Sequence, residues 1–171
     1  MISMTRITRT MLRATWALAT LSWLAGCSAL SPYSHMTKLD LTLTATDQLN
    51  LDINGRPSPV VVRLFELKHP VAFETTDFFS LYQRPKEALS PDMVASEEHE
   101  LRPGETLTLK LSIDPDSRFV GIMAAYRDLD QAQWRRVQAI RAGERVTANF
   151  YLDQAGIHNG VPAVAQAGER P

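Results

Sequence analysis

Four histidines stand far apart, at His35, His69, His99 and His158, with no His-x-His or His-x-x-x-His spacing that would stack two imidazoles on one strand or helix face. The densest acidic run, Glu97-Glu98-His99-Glu100, splits across the two faces of a strand and leaves at most two ligands together. A solvated or edge-blunting face explains it better than a metal site. Asp128-Leu129-Asp130 opens like a calcium loop, but the following positions lack its Gly and terminal Glu, so local Asx hydrogen bonding is the better reading. No Gly-x-Ser-x-Gly elbow and no Gly-rich phosphate loop occurs. Phe78, Phe79 and Trp134 read as core and core-rim aromatics. Cys27 is the single cysteine, which excludes an intrachain disulfide and a multi-cysteine zinc site. These residue types at these spacings point away from an enzyme, and no cofactor or metal is expected.

Cys27 has chemistry of another kind, set by what precedes it. The first 26 residues hold Arg6, Arg9 and Arg13 and no acid, so the rest of the 171-residue chain carries 15 basic against 19 acidic side chains. That mildly acidic body argues against non-specific nucleic-acid binding, which needs a basic footprint. After the arginines comes an apolar stretch over 14–24, then Ala25, Gly26 and Cys27. Roughly eleven residues at ~1.5 Å rise span about half of a ~30 Å hydrocarbon core, too short for a membrane-spanning helix. Residues 1–26 therefore read as a secretory signal peptide. Leu24-Ala25-Gly26-Cys27 resembles the bacterial lipobox. That resemblance implies diacylglycerol on the Cys27 thiol, cleavage between Gly26 and Cys27, and acylation of the new amine. Ser28 rather than Asp in the next position implies sorting to the outer membrane. Each buried methylene contributes ~0.8 kcal/mol, so two or three chains make a firm anchor where one holds only marginally.

Residues 27–36 lack any period and are Ser-rich, which reads as a lipidated tether of at most ~30 Å reach. The body, 37–153, reads as short strands. Leu39, Leu41, Leu43 and Ala45 alternate with polar residues at a two-residue period. Residues 47–59 are loop formers, and 59–67 form a β-branched run suited to a strand covered on both faces. Thr75, Thr76 and Asp77 offer N-cap oxygens for a short helix carrying Phe78, Leu81 and Tyr82, ending before Pro85, and Ser90-Pro91-Asp92 is expected to open another helical turn through Ala95. Strands at 98–101 and 106–113 flank Arg102-Pro103-Gly104-Glu105, the composition of a type II turn and hence of a hairpin. An apolar strand at 119–126 follows, and strands at 134–140 and 145–152 form a last pair. About seven strands at this spacing suggest a mainly β fold, a β-sandwich with a short helical insertion. Residues 154–171 are expected to be a flexible tail.

Four ordered segments carry a more specific resemblance. Residues 49–63 (Leu49-Asn50-Leu51-Asp52-Ile53-Asn54-Gly55-Arg56-Pro57-Ser58-Pro59 and the strand after it), Asp77-Phe78-Phe79-Ser80-Leu81-Tyr82, Leu101-Arg102-Pro103-Gly104-Glu105, and Tyr126-Arg127-Asp128-Leu129-Asp130 with Trp134-Arg135 together resemble the type VI secretion outer-membrane lipoprotein family TssJ (SciN, VasD). Leu51 stands where relatives often have Pro, and Ser90-Pro91-Asp92-Met93-Val94 departs from their Leu-rich version. The resemblance implies a transthyretin-like β-sandwich on the periplasmic face of the outer membrane, with no small-molecule substrate, that anchors the secretion membrane complex by binding the periplasmic C-terminal domain of TssM. It also implies contact through the loop between the first two strands, about 46–59, with Leu49, Asn50, Leu51, Asp52, Ile53, Asn54 and Arg56 as the partner-binding residues. The three apolar residues of that loop either face the partner or fold back on the sandwich. The competing function is a periplasm-facing lipoprotein that binds a small ligand or another envelope protein, which needs a deep apolar pocket with convergent polar groups.

Overall fold

The computed structural model describes residues 36–162. The signal peptide, its cleavage site Gly26-Cys27, the tether up to His35 and the end of the tail lie outside the described residues.

Strand β1 (Thr37–Ala45) keeps the expected alternation, with Leu39, Leu41 and Leu43 fully buried and the residues between them half-buried. Such a strand needs a neighbour on each flank and a layer on one face. It pairs antiparallel with β4 (Thr106–Ile113) and parallel with β7 (Arg145–Asp153), and β7 carries β8 (Gly156–Asn159) on its far side. The first sheet therefore runs β4-β1-β7-β8. The second runs β3-β2-β5-β6, from β3 (Met93–Leu101), β2 (Val60–Leu67), β5 (Phe119–Ala124) and β6 (Arg135–Ala139). Between them lies one core, in which the β1 leucines meet Val60, Val62, Leu64, Ile122, Phe150 and Leu152. Burying each such aliphatic or aromatic side chain contributes about 1.5–3 kcal/mol.

The outer face of the second sheet is apolar as well, which is why 60–67 has no polar alternation. Three short helices cover it: α1 (Val71–Thr75), α2 (Phe78–Gln83) and α3 (Pro85–Ala88). Phe65, Leu67 and Met123 of the sheet meet Phe73, Leu81 and Leu89 of this layer in a second cluster. Asp77 is the N-cap of α2, its Oδ1 accepting from Ser80 N at 3.0 Å. The Ser80 hydroxyl first, and its N–H next, hold the Asp77 carboxyl below its ordinary value. Two arginines of the sheet clamp the layer. Arg135 donates to Phe73 O at 3.0 Å and Thr76 O at 2.6 Å while lying over the Trp134 ring. Arg63 donates to Tyr82 O and lies over the Tyr82 ring.

The structure departs from the sequence reading in four places. The turns at 102–105 and 141–144 do not make hairpins. Each joins strands of different sheets, β3 to β4 and β6 to β7. A tight turn dictates only that the chain reverses, and four residues span the ~10 Å between packed sheets as readily as the spacing within one. Residues 90–95 do not open a helix: Asp92 O accepts from Lys68 N at 2.9 Å and Met93 already pairs with Leu67, so the β2 end recruits them into β3. The tail from 154 is not loose at its start, because β8 pairs with β7 through Ile157 and its neighbours. Finally, α1 carries no sequence cap and forms because Phe73 has a hole to fill.

That hole is made by Gly121, where an added Cβ would sit 3.0 Å from two Phe73 ring carbons. Gly121→Ala is expected to cost about 1–3 kcal/mol by overpacking. Combining it with Phe73→Leu should recover part of the loss, as a double-mutant cycle in urea unfolding will read.

Candidate partner-docking surface

The β1–β2 loop, 46–59, starts from a fixed base. Ala45 N and Thr46 N donate to Glu105 O and Leu152 O, at 2.8 and 2.9 Å, so the strand end is held from both sides. Leu49 is fully buried in the main core, and Asn50 beside it is 4% exposed. Asn50 has φ 46°, in the left-handed region that Asn tolerates better than most side chains. Its amide does two jobs: Nδ2 donates to Pro59 O at 2.8 Å, and Oδ1 accepts from Arg127 N at 2.9 Å. The first bond closes the neck of the loop, and the second ties that neck to the β5–β6 connection. Ser58 N donating to Leu49 O at 3.1 Å completes the closure.

Beyond the neck, Asp52 organises a tight turn. Its Oδ1 accepts from Asn54 N at 2.8 Å and Arg56 N at 2.9 Å, and its Oδ2 from Arg56 Nε at 2.8 Å. Gly55 N donates to Asp52 O at 2.9 Å, and the φ of 75° at Gly55 is what the turn requires. The Arg56 N–H bond first, opposed by partial burial and helped by Asn54 N–H and the Arg56 side chain, holds the Asp52 carboxyl below its ordinary range. The turn thrusts Ile53 outward, where its exposure reaches 102%. A free isoleucine on a locked turn has lost little further freedom to a partner, because its backbone is already ordered.

The tip does not stand alone. Leu51, Asp52, Ile53, Asn54 and Arg56 share an open hollow of about 670 Å³ with Arg127 and Asp128. Of the seven residues expected to bind a partner, five therefore line this surface. Leu49 and Asn50, also expected there, face into the fold instead and support the loop from within. Arg127 and Asp128 are additions. In sequence their segment reads as an Asx-bonded loop and as part of the family resemblance, and not as a neighbour of 46–59, since contact with that loop arises from Asn50 reaching across to it. Tyr126 next to them is buried with its hydroxyl unpaired, and burial first, then Asp153, raises its pKa far above the ordinary value.

Elsewhere the ionisable groups pair off singly: His69 with Asp92 at 2.8 Å, His158 with Asp153 at 3.0 Å, and His99 with Glu97 at 3.6 Å. Among the described residues no group of three His, Cys, Asp or Glu is placed to hold a metal ion. The hollow at the loop is open to solvent rather than a deep apolar pocket. The β1–β2 loop also lies at the far end of β1 from Thr37, its first residue. That residue is held by Gly143 N donating to Thr37 Oγ1 at 2.9 Å. Nine residues of strand at ~3.3 Å each put about 30 Å between the two ends.

Residues 37–155 match the family model of the type VI secretion lipoproteins, described as VasD, EvfM and TssJ. The crystal structure of the type VI secretion lipoprotein TssJ1 from Pseudomonas aeruginosa is 34% identical, with a TM-score of 0.71 over 75% of this chain and 98% of that one. Serratia marcescens Lip, a membrane-bound component of the type VI secretion system, is 24% identical, with a TM-score of 0.69 over 73% of this chain and 98% of its own. A chain of a type VI membrane complex is 24% identical, with a TM-score of 0.65 over 74% and 99%. The last two speak for the shared fold. No curated protein matches the chain.

Two outcomes test the loop architecture. Asn50→Ala orphans Pro59 O and Arg127 N and should cost about 1–3 kcal/mol, with faster hydrogen exchange both at 50–58 and at 126–130. For Asp52 the sign follows from a folded-state pKa lowered below the ordinary 3.8: its contribution is complete above that pH and is lost as pH falls through the depressed value. Protection of the Asn54 and Arg56 amides should therefore persist at pH 3.8 and fade only below it, and Asp52→Asn should abolish that pH dependence.

Proposed function

Because the chain belongs to the type VI secretion lipoprotein family, we propose that it pins the secretion system's membrane complex to the outer membrane by docking the periplasmic C-terminal domain of TssM. In this reading it is a structural component and no enzyme. Acyl chains on Cys27 hold the protein in the periplasmic leaflet of the outer membrane, and residues 27–36 lead from the lipid to the sandwich. The rigid tip of the β1–β2 loop meets the partner. The observation that carries the proposal is Ile53, an aliphatic side chain held fully in solvent by the Asp52 turn.

A preordered apolar tip with a charged rim is the form of an interface hot spot: one side chain enters a pocket on the partner and the rim excludes water. Arg56 is neutralised by Asp52 at 2.8 Å, so burial at an interface does not strand that cation alone. Arg127 and Asp128 bring a second pair of opposite charges to the same hollow and set the register of docking.

Ile53→Asp is expected to weaken binding of the TssM periplasmic domain by about 10–100-fold, the equivalent of about 1.4–2.8 kcal/mol, with circular dichroism and melting unchanged. Undiminished affinity would remove the loop from the mechanism. The anchor is tested separately. Cys27→Ser should leave the sandwich folded, remove the acyl mass from the protein, and release it from outer-membrane fractions of cells lacking TssM. Retention there after a high-salt wash would contradict the lipid tether.

A further inference from the structure

The two sides of the sandwich are finished differently. On one side the residues leading into β6 are stitched to β8 by a parallel bridge between Gln133 and Gly156, with Gln133 N donating to Ala155 O at 2.8 Å and Ile157 N to Gln133 O at 2.9 Å. On the other side β3 and β4 each end their own sheet. There, an open cleft of about 300 Å³ has Leu64, Leu111 and Val120 as its apolar lining and Ala95, Glu97 and Lys110 at its rim. A second hollow, of about 380 Å³, lies on the opposite face of the same strand, between Ser96, Glu98 and the Tyr82–Pro85 part of the helical layer.

The middle of β3 is thus bare in three directions. Ala95, Ser96, Glu97 and Glu98 are all exposed, and among the described residues the edge beside them has no strand neighbour. An edge of this length usually carries a device against pairing, such as charged side chains, Pro, a bulge or an inward-pointing charge, and a device made of charge turns away strands of its own sign. β3 has neither Lys nor Pro, and its register shift leaves Val94 as an extra residue between Met93 and Ala95, at the very start of the strand and outside 95–101. Its charges are three glutamates. Glu98 is taken by Arg63, and Glu100 by Arg102 at 3.2 Å. Glu97 faces only His99 at 3.6 Å and points into the inner cleft, as its register opposite Leu64 requires. Lys110 stands on the far wall of that cleft, and no ion pair joins it to Glu97 among the described residues.

We propose that β3 is a strand-addition edge for an extended, basic segment of a second protein. Side chains of an added strand alternate between faces, and here each face has a hollow in register. The residue opposite Glu97 points into the inner cleft, where a Lys or Arg meets the carboxylate and lays its aliphatic stem over Leu64 and Leu111. Residues opposite Ser96 and Glu98 point outward, where an apolar side chain settles against Tyr82. Opposite charges directly across a strand pair favour this partner, and an acidic one is rejected by the glutamates. This surface is independent of TssM docking, since neither hollow shares a lining residue with the one at the β1–β2 loop.

The test uses the full chain in detergent, a nine-residue peptide alternating valine and lysine, and a matched valine–glutamate peptide. Hydrogen exchange read by mass spectrometry should slow at least threefold over 93–101 with the lysine peptide and be unchanged with the glutamate peptide. Glu97→Lys, verified as folded by circular dichroism, should weaken the lysine peptide about tenfold, whereas Ile53→Asp should leave its binding unaltered. Any of four results overturns the proposal: no slowing at millimolar peptide, slowing at β4 or β8 instead of β3, equal response to both peptides, or protection of β3 that rises with protein concentration alone, which marks self-pairing.

Discussion

A strand with two apolar faces has to be sandwiched between two layers, and β2 is such a strand. Val62 and Leu64 point into the main core while Phe65 and Leu67 point the other way, all of them 2% exposed or less. This demand explains much of what is irregular in the fold. The helices between β2 and β3 exist to cover that second face, and they are too short to be stable alone, since isolated helices below about 12–15 residues are marginal in water. Phe73 and Leu81 hold them by burial, Asp77 by capping, and Arg63 and Arg135 by bonding to carbonyl oxygens the helices cannot satisfy internally. The cover reaches Phe65 and Met123 and stops short of the middle of β3, which leaves the outer face of that edge strand exposed.

At the loop end the same economy appears on a smaller scale. One asparagine amide spends its donor on the loop neck and its acceptor on a neighbouring connection, so two segments 77 residues apart in sequence move as one. One aspartate then shapes everything beyond the neck. The proposed docking surface is built from charged and aliphatic side chains on backbone that is already ordered, and so binding there is spared most of the entropic cost of fixing a loop.

The order and span of strands β1, β2, β4 and β7 were legible from alternation and turn composition, and Asp77 from its capping position. Pairing was not. Turn residues such as Pro103 and Gly104 encode a reversal, whereas membership of a sheet depends on which inward faces meet, a long-range matter that local pattern does not hold. The short α1 and the strand at 156–159 were missed for a related reason: each is ordered by what it packs or pairs against. The loop residues divided along a line that sequence could pose and not resolve. Leu49, Leu51 and Ile53 look alike as letters, yet one is in the core, one half-buried and one fully in solvent, because Asn50 adopts a left-handed backbone and turns the chain between them. Contact with Arg127 and Asp128 needed the third dimension altogether.

β1 has one last property. In the proposed assembly its first residue follows the segment that leads from the lipid, and its last opens the loop that holds the partner. A pull between membrane and apparatus would in that assembly run down a single covalent backbone, from one end of one strand to the other. At about 3.3 Å per residue that backbone is close to the limit of a polypeptide, so stretching it releases almost no slack. The ladders to β4 and β7 grip this cable from either side, which leaves the remainder of the domain hanging on the line of force instead of in series with it.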